Sequence, residues 1–238
     1  MVGPSSTFRP DGRSSGGSLR PLSCELSPLQ RADGSALWKS GSTHVLAAVY
    51  GPIAPQRPSV EQPDSAVISI IFNGHREYES LLQTILEGCI CVEEYARCVI
   101  EVVLQTIRDD GSVLGCAVHA TVAALMDAGI SMTRMPLATS VALSLSRGRG
   151  DDDNDDAVLL LDPNEEEEQH QTSLTLITSN LEPDCMLGSM CEGKLSLERL
   201  LACQEAASRA TPSVLAFMRL AIEQKVMRQS QTLWAVSN

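Results

Sequence analysis

Residues 20–52 read RPLSCELSPLQRADGSALWKSGSTHVLAAVYGP, and this run decides the fold. Ser35 to Lys39 and His44 to Tyr50 read as two short strands joined by a tight turn at Gly41. Gly34, Gly41 and the Gly51-Pro52 pair punctuate the run, and these are residue types used where a chain must turn. The second strand, HVLAAVY, is apolar almost throughout. A strand of that kind is expected to be buried on both faces. The hairpin should therefore lie in the core sheet, with other elements packed on it.

Working outward, residues 53–65 hold three prolines and should connect rather than form regular structure. Ala66 to Phe72 reads as a third strand. Tyr78 to about Cys91 has Leu81, Leu82, Ile85, Leu86 and Ile90 at helical spacing. Arg97 to Ile107 is β-branched and reads as a strand. Asp109-Asp110-Gly111-Ser112 then makes a turn with a suitable helix N-cap. The helix it opens, Val113 to about Ala128, is apolar nearly all round, so it should be central and fully packed, with Gly129 ending it. Leu137 to Ser146 and Ala157 to Asp162 form a strand pair around an acidic stretch at 147–156. A second acidic stretch, 163–171, contains Glu165 to Glu168 and precedes a strand at Leu174 to Thr178. Residues 179–194 read as irregular or short-stranded. Ser196 can cap a final helix, which Thr211-Pro212 either kinks or divides. The order of elements is an α+β pattern, with helices covering sheet faces.

The totals narrow the possibilities. At 238 residues and 43% hydrophobic, the chain can bury a sizeable core as one domain or a fused pair of half-domains. Aromatics make up only 3%, so that core must be built from Leu, Val, Ile and Ala. The net charge of -12 argues against this chain gripping nucleic acid alone, because non-specific affinity comes largely from Lys and Arg on phosphates. It leaves open RNA contact inside an assembly whose other members carry positive charge. The eight cysteines show no CxxC pair and no zinc spacing, which suits reduced, buried thiols. No apolar run is long enough to cross a membrane. Residues 1–19 are rich in Ser, Gly, Pro and Arg and suit a disordered tail, with a transit peptide as the alternative.

Few residues suggest chemistry. Asp151, Asp153 and Asp155 have the spacing of a calcium loop, but Asp156 and Asp162 stand where such a loop needs Gly and Glu, so a solvated hairpin tip is expected. No GxSxG, HExxH or Walker loop is present. His44, His75, His119 and His170 are scattered and read as core or interface histidines. The DDGS turn opening a helix is a candidate anion site, weighed against simple helix capping.

With these segments in hand, the chain resembles the RNase PH family, and within it the RNase PH-like ring subunits of the eukaryotic RNA exosome. The resemblance is carried by Arg20-Pro21, RADGSALWKSGSTHVLAAVYGP, IEVVLQTIRDDGSVLGCAVHATVAALMDAGISM, the LDP at Asp162 and GSMCEGKLS at Gly188 to Ser196. It implies a β-α-β-α fold like the second domain of ribosomal protein S5, spanning residues 20–230. The two acidic stretches are then loop insertions, and 231–238 a short tail. Family members build six-membered rings, and the active ones degrade RNA from the 3′ end with phosphate as nucleophile. Active members carry a GGTRT-like turn whose last four positions match Gly111-Ser112-Val113-Leu114, so the family arginine falls on Val113. Another family arginine falls near Gln83, and Gln cannot neutralise a phosphate. Of the family's two acids, the first matches one of Glu165 to Glu168. The second falls among Gln171, Thr172 and Ser173, none of them acidic. Each lost ionised hydrogen-bond partner removes about 1.5–3 kcal/mol, so both arginines together should slow turnover by orders of magnitude.

The resemblance thus implies a structural, non-catalytic ring subunit supporting 3′-to-5′ RNA processing, with no catalytic, cofactor or metal residue of its own. Ser112 and Arg97 are expected as vestigial RNA or phosphate contacts. Gly34, Gly41, Val45, Gly51 and Gly111 are expected as fold or ring positions. The implied partners are other RNase PH-like exosome ring subunits, cap subunits, and RNA through the assembled complex, with no membrane. The implied location is nucleus and nucleolus, and also cytoplasm. The alternative is an active phosphate-dependent or hydrolytic 3′-to-5′ exoribonuclease.

Overall fold

A computed structural model describes residues 9–13, 15–55, 61–144, 158–169, 171–182 and 184–236. The expected hairpin is present as β2 (Gly34–Ser40) and β3 (Thr43–Ile53). It sits inside a five-stranded sheet together with β1 (Leu22–Leu26), β4 (Val67–Asn73) and β5 (Val99–Arg108), in the order β1-β2-β3-β5-β4. β1 escapes a reading of the sequence because LSCEL is short and only half-buried, with Ser23 and Glu25 outward. It is held by pairing with β2, Cys24 opposite Trp38.

Alternation decides which side of the hairpin is core. Ala36, Trp38, Val45, Ala47 and Val49 are fully buried. Leu46 and Tyr50, which point the other way, are only partly covered. The expectation that β3 is buried on both faces is therefore corrected: its inner face alone meets helix α2 (Val113–Asp127). Gly34 is required where β2 meets the end of α2, since a Cβ there would lie 2.3 Å from the Ala128 amide nitrogen. Gly41, in the turn between β2 and β3, has φ +57, and Gly51 has φ +137, both favouring glycine.

β4 and β5 run parallel, joined through helix α1 (Glu79–Glu87), and α2 follows β5. That β4-α1-β5-α2 run is the expected β-α-β-α unit. α1 is shorter than the periodicity of its leucines suggests, because Gly88 ends it and Cys89 and Ile90 are buried beyond it in non-helical backbone.

A second sheet contains β6 (Pro136–Ser144), β7 (Val158–Leu161), β8 (Thr172–Ser179) and β9 (Met186–Glu192), in the order β7-β6-β8-β9. β9 decides the open reading of residues 179–194. α2 packs against β2 and β3 of one sheet and β6 of the other. This explains why nearly every residue of that helix is buried. Between β7 and β8 the second acidic stretch, expected as a loop insertion, forms a short helix, α3 (Glu165–Gln169).

The final helix, α4 (Leu197–Val236), runs unbroken through Pro212 and through most of the expected 231–238 tail. Pro212 removes one backbone donor, yet burial of Cys203, Ala207, Ala210, Val214 and Met218 holds the helix on its sheets. Lys225 anchors it further: its ammonium donates to Ser27 Oγ at 2.7 Å and pairs with Asp127.

Of the expected N-terminal tail, residues 9–13 and 15–19 lie against the second sheet, with the Leu161 amide donating to the Gly16 carbonyl at 2.7 Å. Arg9 is only 4% exposed. The acidic stretch at 147–156, with Asp151, Asp153 and Asp155, lies outside the described residues, as does His170.

Candidate functional site

The site is built on the turn that joins β5 to α2. Gly111 has φ +78, and a Cβ on it would lie 2.6 Å from the Asn164 carbonyl carbon, so the turn packs directly on the segment leading into α3. Ser112 sits at the helix N-cap in the left-handed region, φ 55 and ψ 34, and its hydroxyl makes no cap bond. That hydroxyl donates to the Pro163 carbonyl at 2.9 Å. The Ser112 amide donates to Glu168 Oε1 at 2.8 Å. Both readings of the DDGS turn are thus modified: the side chain does not cap, and the anion at the helix start is the chain's own carboxylate.

Around Ser112 opens a cleft of about 100 Å³, walled by the start of α2, the strands β8 and β9, α3 and the residues just before α1. Its polar lining is Asp109, Ser112, Glu168, Ser173, Thr175 and Glu192, together with His75 and Tyr78. Among the described residues no Arg or Lys lines it. Burial pushes the Glu168 carboxyl up to about 7, and Asp109 and Glu192 act in the same direction. The Ser112 amide and the Arg20 charge oppose this without reversing it. Burial likewise pushes the Tyr78 phenol up to about 12, helped by Glu192 and its acidic neighbours. The His75 and Tyr78 rings are stacked, 5.6 Å between centroids and 10° apart in plane. Among the described residues no three His, Cys, Asp or Glu converge closely enough to hold a metal ion.

Beneath the turn lies a buried ionic network. Arg20 donates to Asp162 Oδ1 at 2.6 Å, to the Asp110 carbonyl at 2.7 Å and to the Gly111 carbonyl at 3.2 Å. Asp162 also accepts from the Arg20 amide at 3.0 Å and from Ser40 Oγ at 2.9 Å. Burial alone would raise the Asp162 carboxyl, but the hydrogen bonds and charge of Arg20 outweigh it and hold the group below the usual carboxylate range. Arg20 therefore ties β1 and β2, the DDGS turn and the entry to α3 into one body.

The residues singled out from sequence do not all meet. Ser112 and Val113 line the cleft. Arg97 does not: it precedes β5, whose ten residues span roughly 30 Å before the turn is reached. Its side chain is 68% exposed and faces Glu61 at 3.9 Å. Gln83 lies on α1 in a different depression, beside Val67 and Glu101, and donates to Glu87. Of the four candidate glutamates, Glu168 faces the cleft, and at the second acid's position Ser173 does so. Gly34, Gly41, Val45, Gly51 and Gly111 occupy tight or buried backbone positions within the chain.

His75 and Tyr78, from the turn before α1, and Glu192, from β9, escape sequence reasoning because they reach the cleft from elements far apart in the chain. His119 is a core residue, as read: its Nε2 accepts from the Ala138 amide at 3.1 Å, and burial pushes its pKa down to about 4. The eight cysteines are unpaired, but only Cys89, Cys116 and Cys203 are buried and Cys191 is exposed, which corrects the expectation of uniformly buried thiols.

Comparison with known proteins places this geometry in context. The family model for RNase PH, described as the 3′ exoribonuclease family, domain 1, matches residues 18–131. An Arabidopsis thaliana protein named exosome complex exonuclease RRP46 homolog is 31% identical over 231 residues, covering 91% of this chain and 96% of that protein. The crystal structure of rice (Oryza sativa) Rrp46 superposes with a TM-score of 0.77 at 34% identity, covering 89% of this chain and 98% of that one. An archaeal exosome core subunit shares the fold, with a TM-score of 0.71 at 20% identity over 88% of this chain and 90% of that one.

Proposed function

This chain belongs to the RNase PH family, and from that premise we propose that it is a structural subunit of the RNA exosome ring whose own cleft does not cut RNA. One observation carries the second half of this reading. The Ser112 amide, the donor a phosphate would need at the start of α2, is already taken by Glu168. Among the described residues no Arg or Lys lines the cleft to displace that carboxylate, and Val113, at the position the resemblance gives to the family arginine, lines it instead. A phosphate entering would meet Asp109, Glu168 and Glu192, and like charges at close range are unfavourable in a partly desolvated site. The RRP46 names of its relatives support membership of an exosome ring. Its neighbours would then be other RNase PH-like subunits with cap subunits above them. RNA would be met through the assembled complex, in the nucleus and nucleolus and in the cytoplasm.

Two measurements test this. Native mass spectrometry of the endogenous complex should recover the chain with other RNase PH-like subunits; recovery alone or as a homo-oligomer would overturn the ring assignment. Pure protein incubated with single-stranded RNA, with and without inorganic phosphate, should release no nucleotides.

A second reading is an active exoribonuclease, favoured by one feature: a Glu168 carboxyl near neutrality, suited to moving a proton. Phosphate-dependent release of nucleoside diphosphates, abolished by Glu168→Gln, would establish that reading instead. Release of monophosphates in the absence of phosphate would establish its hydrolytic form.

A further inference from the structure

The contacts of residues 9–20 assign this segment a task beyond covering the sheet. We propose that it is a strap that sets the position of the Glu168 carboxylate in the cleft, with Arg9 as the positioning residue acting through Glu167. The proposal holds whether or not the cleft turns over RNA, because it concerns the geometry of the cleft.

The strap is held by charge buried away from water. Arg9 donates through Nε and Nη2 to both oxygens of Glu167, at 2.8 Å and 2.7 Å. Their side chains are 1% and 4% exposed. The same guanidinium donates to the Leu161 carbonyl at 2.9 Å and the Asp162 carbonyl at 3.3 Å. Arg13 reaches the Asp162 carbonyl at 2.9 Å from the other side. Gly16 must be glycine here, since a Cβ would lie 2.4 Å from the Leu159 carbonyl oxygen.

Glu167 passes this constraint to α3. It accepts from the Asn164 amide at 3.1 Å, and its own amide donates to Asn164 Oδ1 at 3.0 Å, a reciprocal pair that closes the first turn. Within the run of four glutamates, Glu165 and Glu168 stand three apart as like charges, and the buried Glu167 needs a counter-charge. With Glu167 neutralised from below, the next residue, Glu168, turns to the Ser112 amide. Arg20, at the far end of the strap, fixes Asp162 just before α3. Both anchors of the strap therefore fix the segment that leads into Glu168.

An arginine is needed for this arrangement. A lysine ammonium cannot make a bidentate contact with Glu167 and also reach two carbonyls in fixed directions. Arg9→Ala removes all of these bonds and leaves Glu167 buried without its partner. Arg9→Lys keeps the charge while losing the geometry.

The test is hydrogen exchange of the full-length chain, read at the Ser112 amide, together with the titration of the Glu168 carboxyl followed by carbon NMR. In Arg9→Ala, exchange at Ser112 should quicken by about tenfold or more, as expected for a local opening, while amides in the middle of α2 keep their protection. The Glu168 titration should shift toward its ordinary range as the carboxyl gains water. Arg9→Lys should show the same changes to a lesser degree, and it decides the matter if Arg9→Ala does not fold. Unchanged exchange at Ser112 and unchanged titration of Glu168 in a folded variant would overturn the proposal. So would a uniform quickening across α2 and Ser112 together, which would make the strap a source of global stability only.

Discussion

Replacing Glu168 by Gln should make the protein more stable at alkaline pH and leave its stability near pH 4 unchanged. The reasoning starts from a carboxyl that burial raises from 4.5 to about 7. Between those values the folded chain holds a proton that the unfolded chain has released. Stability from this group is therefore fully present below about pH 4.5 and is lost as pH rises through 7. Each tenfold change in proton affinity is worth about 1.4 kcal/mol, so the full window corresponds to a ceiling of about 3 kcal/mol. Partial exposure of Glu168 and its bond from the Ser112 amide, which favours the charged form, reduce the expected difference to about 1–2 kcal/mol. The Gln amide oxygen can keep the Ser112 bond and never ionises. The assay is urea unfolding of both proteins at half-unit steps from pH 4 to pH 8.5, taking the difference in unfolding free energy at each pH so that other groups cancel. A difference near zero at pH 4 that grows in favour of the variant up to about pH 7.5 is expected. A constant difference, or a variant less stable at pH 8, would mean that the Ser112 amide holds Glu168 ionised and that burial does not dominate.

Three further outcomes follow from the same geometry. Asp162→Asn should destabilise the protein by roughly 3 kcal/mol in chemical unfolding, because it leaves the buried Arg20 with only the more distant Asp110 carboxylate, at 3.9 Å, as counter-charge. The pH dependence of that pair runs opposite to Glu168: its contribution is complete above the ordinary Asp value of 3.8 and lost as pH falls through the lowered folded value. Val45→Ala should cost about 2 kcal/mol in the same assay, since Val45 is fully buried between the hairpin and α2. Val113→Arg should lower the Glu168 carboxyl, because a guanidinium in a cleft of three carboxylates favours their charged forms. Carbon NMR titration reads that shift directly, and an unmoved Glu168 would show that the cleft is not closed around both side chains.

Much of the fold was open to sequence reasoning because its signals are local. The alternation in β2 and β3, the apolar length of α2 and the β-branched run of β5 each follow from side chains a few residues apart. What escaped was marginal by itself. β1 is half-buried and needs β2 beside it, and β9 is largely exposed and needs β8. α3 is a run of glutamates whose one buried member, Glu167, is paired with Arg9. The N-terminal segment looked like a tail because Ser and Gly dominate its composition, while its arginines find partners about 150 positions away. Had Arg9, Asp11 and Arg13 been weighed as a charged cluster inside that segment, an anchor rather than a tail would have been the better expectation.

Strands β2 to β5, the helix packed on them and the family were legible in the sequence, since these rest on periodicity and on motif segments such as residues 31–52 and 100–132. The sequence also placed Val113 where a cationic residue was expected, since substitution of one residue type by another is visible without coordinates. Only the tertiary structure decided the state of the cleft. It chose Glu168 from four adjacent glutamates and set that carboxylate on the Ser112 amide. It also brought His75, Tyr78 and Glu192 to the same opening while keeping Arg97 at the far end of β5. The physical reason is that hydrogen bonding, burial and charge act through distance in space, and the groups that govern Glu168 lie on elements the chain order keeps far apart.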